Sequence, residues 1–523
     1  MAQVQERLSR LDTTHLMYIL KGLLVGLLSG FVVSCFRLII ERSLAFWQSI
    51  YRAAQQQPWL LGLVLLGMLV MALVIGLITK PQPHIMGSGI PEVEGQLADE
   101  IKLPWWPILW RKFVTGVLGI GSGLFLGREG PSIQLGAAVG QGVASRFKNA
   151  STTERRVLLA SGAASGLSAA FNAPIAGTMF VLEEVYHNFS PLVWMSALAG
   201  AIGANFVSTN FFGMVPVLHI TYANSFPLRD YWHLLLLGIL LGLLGYLYQQ
   251  VLLWMPKLYH DLFPKLPRYF QGLVPLVLVI PIGYVWPQYL GGGNGVILDI
   301  GRHQPALSAL VILLVLRFVF SMISYGSGLP GGIFLPILML GAAIGATYGT
   351  IMWRLGLLPH NCIVNLLIFA MAGYFAGIGK APFTAILLIT EMVGTLQHLM
   401  PLAVVSLTAY LVVDLLGGAP IYASLLQRMQ TTQKLEALTG HDAQIEIPIL
   451  VGSAFSEQMV RDIHWPREMV LIAIRRGEYN LIPHGDTLLR AGDTLVILTD
   501  EGRCRELRHK LDKIGRRMLL TQH

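Results

Sequence analysis

The chain has 523 residues, of which 54% are hydrophobic and only 13% are charged, about half the charged fraction of a soluble protein. This composition excludes an ordinary soluble enzyme and places most of the chain in a lipid bilayer. The net charge of +8, from 37 basic and 29 acidic residues, comes without a dense basic run and does not indicate nucleic-acid binding.

The N-terminal end is polar, and we expect residues 1–15 to form a short cytoplasmic segment without a cleavable signal peptide. Arg7, Arg10 and Lys21 flank the first apolar run, which favours a cytoplasmic N-terminus by the positive-inside rule. Apolar runs of spanning length follow at 16–40, 60–79, 192–212, 233–254, 307–322 and 399–416. We therefore predict a multi-pass protein of the cell (inner) membrane.

Two further apolar stretches, 116–142 and 325–349, are interrupted by glycine and proline. Irregular backbone at membrane depth survives only where protein or a water-filled path satisfies its polar groups. The two stretches are also related, because residues 112–140 resemble residues 317–345 at a constant offset. The predicted membrane domain, 16–418, thus has two similar halves at about 16–215 and 230–418. This pattern is typical of a transporter whose substrate lies between repeats, with a duplicated scaffold as the alternative.

After about residue 418 the sequence becomes polar, and we expect a helix and linker at 419–440 and a separate α+β cytoplasmic domain at 441–523. Within it the predicted strands are 446–451, 469–475 and 493–499, and the predicted helices are 456–463 and 501–511. The segment 481–495 resembles the C-terminal ligand-sensing domain of regulators of potassium conductance. This resemblance implies regulation by a small ligand, an ion or a nucleotide, with a dimer-stabilising module as the alternative.

Three glycine-rich segments are predicted helix starts directed at an anion. Glycine lets the backbone approach closely, proline suits the first helical turn, and the free N–H groups there carry partial positive charge. Amides hold an anion more loosely than a fixed cation would, so the ion can leave again. One such segment would be only a helix break, but three indicate an anion path. They are Gly87-Ser88-Gly89-Ile90-Pro91, Gly127-Arg128-Glu129-Gly130-Pro131 and Gly331-Gly332-Ile333-Phe334-Leu335-Pro336.

In their order and spacing these segments resemble the signatures of the CLC chloride channel and transporter family, over roughly residues 15–435. The resemblance implies an all-α polytopic membrane protein with two inverted-repeat halves of broken, tilted helices, assembled as a homodimer. It implies that Ser88 and Tyr422 offer hydroxyls to a central anion, and Ile333 and Phe334 their amides. A serine at position 88 implies chloride rather than nitrate. The expected supporting residues are Gly87, Gly89, Pro91, Arg128, Gly130, Gly331 and Gly332.

Glu129 is the candidate external gate and proton acceptor. The repeat sets it against Phe334, so only one half carries a titratable group at this place. Ionised, the carboxylate can occupy an anion position; protonated, it can leave, which couples chloride movement to proton movement. The alternative is a surface pair with Arg128 outside the membrane.

Glu184 matches the position that transfers internal protons in the exchanger branch of the same family. A solvated helix end is the alternative. Its neighbour Glu183 has a counterpart in Glu391, so we expect Glu183 to have a structural role at a helix end.

These features predict secondary active transport of chloride coupled to proton counter-movement, with a passive voltage- or ligand-gated chloride channel as the alternative. No nucleophile and base pattern, phosphate loop or CxxC motif stands out, and the three cysteines are dispersed. We therefore expect no enzyme activity, no metal site and no cofactor. The expected partners are chloride, protons, the lipid bilayer and a second copy of the chain.

Overall fold

The computed structural model describes residues 14–147, 150–214, 216–220, 225–431, 442–463, 465–466, 468–477, 479–500 and 503–516. Of the predicted N-terminal segment, residues 1–13 lie outside the described residues. Residues 432–440 of the predicted linker do so as well.

The described part of the chain before residue 432 is helical. Its α-helices are α1 (Thr14–Gln56), α2 (Leu60–Thr79), α3 (Ile90–Leu97), α4 (Trp105–Gly121), α5 (Glu129–Arg146), α6 (Thr152–Phe171), α7 (Pro174–Phe180), α8 (Pro191–Phe212), α9 (Trp232–Leu262), α10 (Leu273–Val285), α11 (Asn294–His303), α12 (Leu307–Gly326), α13 (Phe334–Arg354), α14 (Cys362–Gly379), α15 (Pro382–Val393), α16 (Leu399–Leu415) and α17 (Ile421–Thr431).

Eight helical stretches within the described residues are long and apolar enough to cross a membrane. They include five of the six predicted apolar runs, whereas the sixth, 399–416, forms the shorter helix α16. Helix α2 is apolar on all sides, and its exposed side chains include Leu63, Leu66 and Leu73, a surface that suits lipid rather than water. The prediction of an all-α polytopic membrane protein is confirmed.

Small residues bring the central helices into backbone contact. A Cβ added to Gly136 of α5 would collide with the carbonyl of Gly162 in α6, and one added to Gly162 would collide with the carbonyl of Gly136. Membrane helices gain little from apolar attraction to each other, so close packing of this kind stabilises them instead. Helix α14 is buried along its whole length, so it lies at the centre of the domain and does not face lipid.

The two halves hold each other through a reciprocal pair of carboxylates. Glu183 accepts hydrogen bonds from the backbone N–H groups of residues 383 and 384, at 3.1 and 2.7 Å, in the first turn of α15. Glu391 accepts them from residues 175 and 176, at 3.1 and 2.7 Å, in the first turn of α7. A carboxylate at a helix N-terminus satisfies free donors and complements the helix dipole. The expected structural role of Glu183 fits this geometry.

Replacing Glu183 or Glu391 with glutamine is expected to lower the stability of the fold by similar amounts, about 1.5–3 kcal/mol each, because charge-assisted hydrogen bonds are lost. The unfolding midpoint of the purified protein in detergent measures the effect. Asp414→Asn is the control, because Asp414 is largely exposed and forms its salt bridge with Lys380. Unchanged midpoints in both glutamate variants would contradict the reciprocal caps.

The C-terminal domain contains a four-stranded antiparallel sheet in the order β1-β4-β2-β3 and one helix after it. The elements are β1 (Asp442–Pro448), β2 (Val470–Arg476), β3 (Tyr479–Leu481), β4 (Thr494–Asp500) and α18 (Cys504–Arg516). Its core is apolar and includes Ile445, Ile474, Ile497, Leu507 and Leu511.

Three of these strands overlap the predicted ones, and β3 was not predicted. The predicted helix at 456–463 is wrong, because only a single 3-10 turn, Val460–Asp462, forms there. Glu457 has a φ of 64°, in the left-handed region, and a residue in this conformation cannot continue an α-helix. The predicted α+β class of the domain is confirmed.

Candidate functional site

The two broken apolar stretches meet at the centre of the membrane domain. Helices α4 and α12 end at Gly121 and Gly326, and α5 and α13 each begin eight residues later, at Glu129 and Phe334. The loops before α5 and α13 lie side by side. Gly127 donates its N–H to the carbonyl of Gly332, and Gly332 donates its own to the carbonyl of Gly127, both at 2.7 Å. The N-termini of two repeat-equivalent helices therefore begin at one point, where their dipoles favour an anion.

The third glycine-rich segment joins the same place. Gly89, with a φ of 88°, directly precedes α3. A Cβ added to Gly130 would lie only 2.8 Å from the Cβ of Ser88, so Ser88 packs against the start of α5. The Ser88 hydroxyl is buried and accepts the N–H of Ile90 at 3.3 Å. Three helix starts thus converge, as the motifs predict.

The carboxylate of Glu129 is buried between the starts of α5 and α13. The side chain is 0% exposed, and neither oxygen has a hydrogen-bonding partner in the described part of the chain. A Cβ at Gly127 would collide with Glu129 Oε2 and lie 3.2 Å from the nitrogen of Leu335. The carboxylate therefore lies beside the backbone of both halves, in a place suited to an anion.

Arg128 does not tie Glu129 to the protein surface. Its Nε lies 3.9 Å from Glu129 Oε1, whereas its Nη1 lies 2.6 Å from a carboxylate oxygen of Glu41. Arg37 contacts the same Glu41 oxygen at 3.0 Å. The alternative of an exposed Arg128–Glu129 pair is therefore wrong, because Glu129 is enclosed and Arg128 has a closer partner.

Aromatic side chains line the region next to this point. The ring of Phe180 lies between those of Phe334 and Tyr422, with centroid distances of 5.7 and 6.1 Å. Ile333 and Phe334 are both buried at the start of α13. The Tyr422 hydroxyl is buried and lacks a hydrogen-bonding partner among the described residues. It lies within electrostatic reach of Glu129 and of Glu184.

Glu184 lies in a single turn of π-helix, Val181–Val185, which follows α7. Such turns are rare and are frequent at functional sites. The residue is 3% exposed, so the alternative of a solvated helix end is wrong for this chain. Its electrostatic neighbours are Glu94 and Glu183, both acidic. Burial of a carboxyl group beside two others is costly, so Glu184 remains a candidate functional residue.

Two buried basic residues, Lys112 and Arg317, hold the loops before α3 and α11. The sequence alone did not predict this role. Lys112 donates to the carbonyls of Ile85 and Gly87, at 2.9 and 2.8 Å, and so holds the loop that carries Ser88. Its repeat counterpart Arg317 donates to the carbonyls of Tyr289 and Gly291, both at 2.6 Å. The alignment of the two basic residues in the repeat places them at equivalent positions, but it does not tell which carbonyl groups they hold.

Lys112→Met is expected to reduce chloride flux more than Arg317→Met does. Each change removes two hydrogen bonds to buried carbonyls, at a cost of about 1–3 kcal/mol for each group left unsatisfied. Of the four carbonyls, that of Gly87 still accepts the N–H of Gly331 at 2.9 Å. Of these two cations, Lys112 holds the loop next to Ser88, whereas Arg317 holds the loop before α11. Flux from liposomes, normalised to folded protein, measures the difference. Equal losses in the two variants would contradict a specific role for the Ser88 loop.

Comparison with known proteins gives a consistent result. The family model described as voltage gated chloride channel matches residues 70–414, and the TrkA-C domain matches residues 445–512. The H(+)/Cl(-) exchange transporter ClcA of Vibrio campbellii is 36% identical over 433 residues, covering 79% of this chain and 89% of that protein. The protein of the same name from Klebsiella pneumoniae is 34% identical, covering 82% and 92%.

Solved structures agree with this. A slow cyanobacterial Cl-/H+ antiporter is similar with a TM-score of 0.74 and 30% identity, covering 80% of this chain and 98% of that one. A CLC-type fluoride/proton antiporter, 23% identical, shares the fold with a TM-score of 0.61, covering 76% and 94%. Both resemblances inferred from the motifs are confirmed: the chain is a multi-pass membrane protein that belongs to the voltage-gated chloride channel family and carries a C-terminal TrkA-C domain.

Proposed function

We propose that this protein exchanges chloride for protons across the membrane as a secondary active transporter, not as an enzyme. Chloride binds where the helix starts converge, held by the Ser88 and Tyr422 hydroxyls and by the amides of Ile333 and Phe334. Glu129 is the external gate and proton acceptor, and Glu184 transfers protons on the internal side. The names of the relatives, which are exchange transporters, support the coupling to protons.

The observation that carries the proposal is the burial of the Glu129 carboxylate between two helix N-termini. An ionised carboxylate there competes with chloride for the same partial positive charges. When it takes up a proton it loses this attraction, and chloride can occupy the place. A single carboxyl group that either occupies the anion site or carries a proton is sufficient to couple the two movements.

Protein reconstituted in liposomes tests the proposal. A chloride gradient is expected to drive protons against their own gradient, measured by a pH electrode in a weakly buffered medium. A passive chloride channel would instead give chloride flux with no proton movement, and its reversal potential would not depend on pH. Absence of proton movement while chloride flux persists would overturn the exchanger.

Tyr422→Phe is expected to weaken chloride binding without lowering stability. Its hydroxyl has no protein partner among the described residues, so removing it breaks no hydrogen bond within the fold. A hydrogen bond to a charged group contributes about 1.5 kcal/mol, which corresponds to about tenfold in Kd. Calorimetric titration of the purified protein with chloride measures this. A hydroxyl with only a packing role would leave the Kd unchanged.

The proposal also covers the location, the oligomeric state and the regulation of the protein. The chain lies in the cell (inner) membrane with both termini in the cytoplasm, as a homodimer with one ion path in each subunit. The TrkA-C domain is its regulatory part and binds a small ligand, an ion or a nucleotide. The molecular mass of the purified protein in detergent tests the dimer.

A further inference from the structure

The C-terminal domain contacts the membrane domain through a cluster of charged residues, which we call the docking cluster: Asp99, Glu100, Arg156, Glu446 and Arg508. Arg156 of α6 contacts Asp99 at 2.5 Å with one nitrogen and Glu446 of β1 at 3.0 Å with another. Glu446 is therefore shared between the two domains. The side chains of Arg156 and Glu446 are only 7% and 13% exposed, so solvent screens this pair weakly.

A second contact lies beside the first. Arg508 of α18 donates a hydrogen bond to the carbonyl of Ala98, and its Nε lies 3.9 Å from a carboxylate oxygen of Glu100. The same guanidinium also donates to the carbonyl of Glu446 at 3.3 Å. Arginine suits this position because its planar group serves several acceptors at once. Arg508 of α18 thus holds the segment 98–100 directly, and Glu446 of β1 holds it through Arg156.

This segment directly follows α3, the helix that begins at the anion site. Helix α3 has 8 residues, a length of about 12 Å, with Gly89 directly before it and Ala98 directly after it. The end of α3 is itself well ordered, because Ala98 and Glu100 donate their N–H groups to the carbonyls of Glu94 and Gly95 at 2.9 and 2.8 Å. A displacement of Ala98 therefore acts on α3, a short and stiff helix whose other end lies beside Ser88.

The same helix also touches the internal side of the path. It packs against the π-helical turn that carries Glu184 and against α17, which carries Tyr422. Tyr186, which follows that turn, lies within electrostatic reach of Arg156 and Glu446. The docking cluster is thereby linked, through α3, to the elements that carry three candidate site residues: Ser88, Glu184 and Tyr422.

We propose that the docking cluster is a restraint, through which the C-terminal domain clamps α3 and slows transport. The clamped arrangement is the one in which the Glu129 carboxylate occupies the path. Contacts made in one conformation and lost in others shift the population toward the first. Release of Arg508 and Glu446 from the membrane domain therefore favours the arrangements in which Glu129 has left. A ligand of the C-terminal domain that moves α18 or β1 would control the rate in this way.

The test uses the full chain with the paired change Arg508→Ala and Glu446→Gln, and Lys510→Ala as the matched control. Lys510 lies on the same helix and forms its salt bridge with Glu506, within the C-terminal domain. Amide hydrogen exchange of residues 97–101 is expected to become at least about threefold faster in the paired variant and to stay unchanged in the control. Chloride efflux from liposomes is expected to rise at least about twofold.

Hydrogen exchange of β4 in the same samples shows whether the C-terminal sheet is still folded. If β4 loses protection, Arg508→Ala alone replaces the paired variant, because it spares the pair of Glu446 with Arg475. Unchanged exchange at 97–101, or efflux equal to or below that of the wild type, overturns the restraint. The exchange measurement does not depend on ion transport, so a failure of the proposed chloride and proton coupling is distinguishable from a failure of the docking.

Discussion

Replacing Glu129 with glutamine is expected to abolish proton transport and to leave a chloride flux that no longer responds to pH. Glutamine keeps the shape of the side chain but cannot ionise, so it neither competes with chloride at the helix starts nor takes up a proton. Within the described site region the carboxylate is fully buried next to Gly127 and the amide of Leu335, so its charge acts at short range. Simultaneous recordings of chloride and proton flux in liposomes measure both effects.

The control for Glu129 is Asp414→Asn, which also converts an acid to an amide but does so at an exposed position beside Lys380. We expect its chloride and proton fluxes to remain coupled. Proton transport that persists in the Glu129→Gln protein would show that another group accepts the proton, and the proposed gate would then be wrong.

Glu184→Gln is expected to stop proton movement while chloride flux continues. Glu184 is buried in the π-helical turn and is not among the amides and hydroxyls assigned to the anion, so its replacement leaves those groups in place. The variant loses the step that we assign to Glu184, the transfer of protons from the internal side. Chloride efflux and proton uptake, measured on the same liposomes, separate the two functions.

The adjacent residue gives a matched comparison. Glu183 is also acidic, but its carboxylate accepts hydrogen bonds from the first turn of α15. We expect Glu183→Gln to lower the unfolding midpoint and to retain the ratio of protons to chloride in the protein that remains folded. If the two variants behaved alike in both measurements, the distinction between a structural and a proton-transferring glutamate would fail.

The amino-acid sequence predicts the architecture of the site because backbone requirements leave a trace in residue type. Glycine before a helix, proline in its first turn and a repeat of both at a fixed offset predict where α5 and α13 begin, and the structure has both helices there. The burial of Glu129 could be anticipated on the same basis, since its motif opens a helix inside the membrane region. The family was recognisable from these motifs alone.

Contacts between distant segments were not predictable in this way. The carbonyl groups that Lys112 and Arg317 hold, and the helix ends that Glu183 and Glu391 cap, depend on how the two halves fold against each other. A buried lysine can pair with an acidic residue or donate to carbonyl groups, and the residues around Lys112 in the sequence do not decide between the two. The contact of Arg508 with Ala98 joins residues 410 positions apart and has no local sequence signal.

The mutual hydrogen bonds of Gly127 and Gly332 have a consequence for movement during transport. The two halves of the protein are joined at the place where the ion is expected to pass, so swinging one half away from the other would break both hydrogen bonds together. A cycle that keeps this junction closed is cheaper. The site would then open to one side of the membrane and to the other by movements of side chains and short helix ends. The Gly127–Gly332 junction and most of each half would keep their positions.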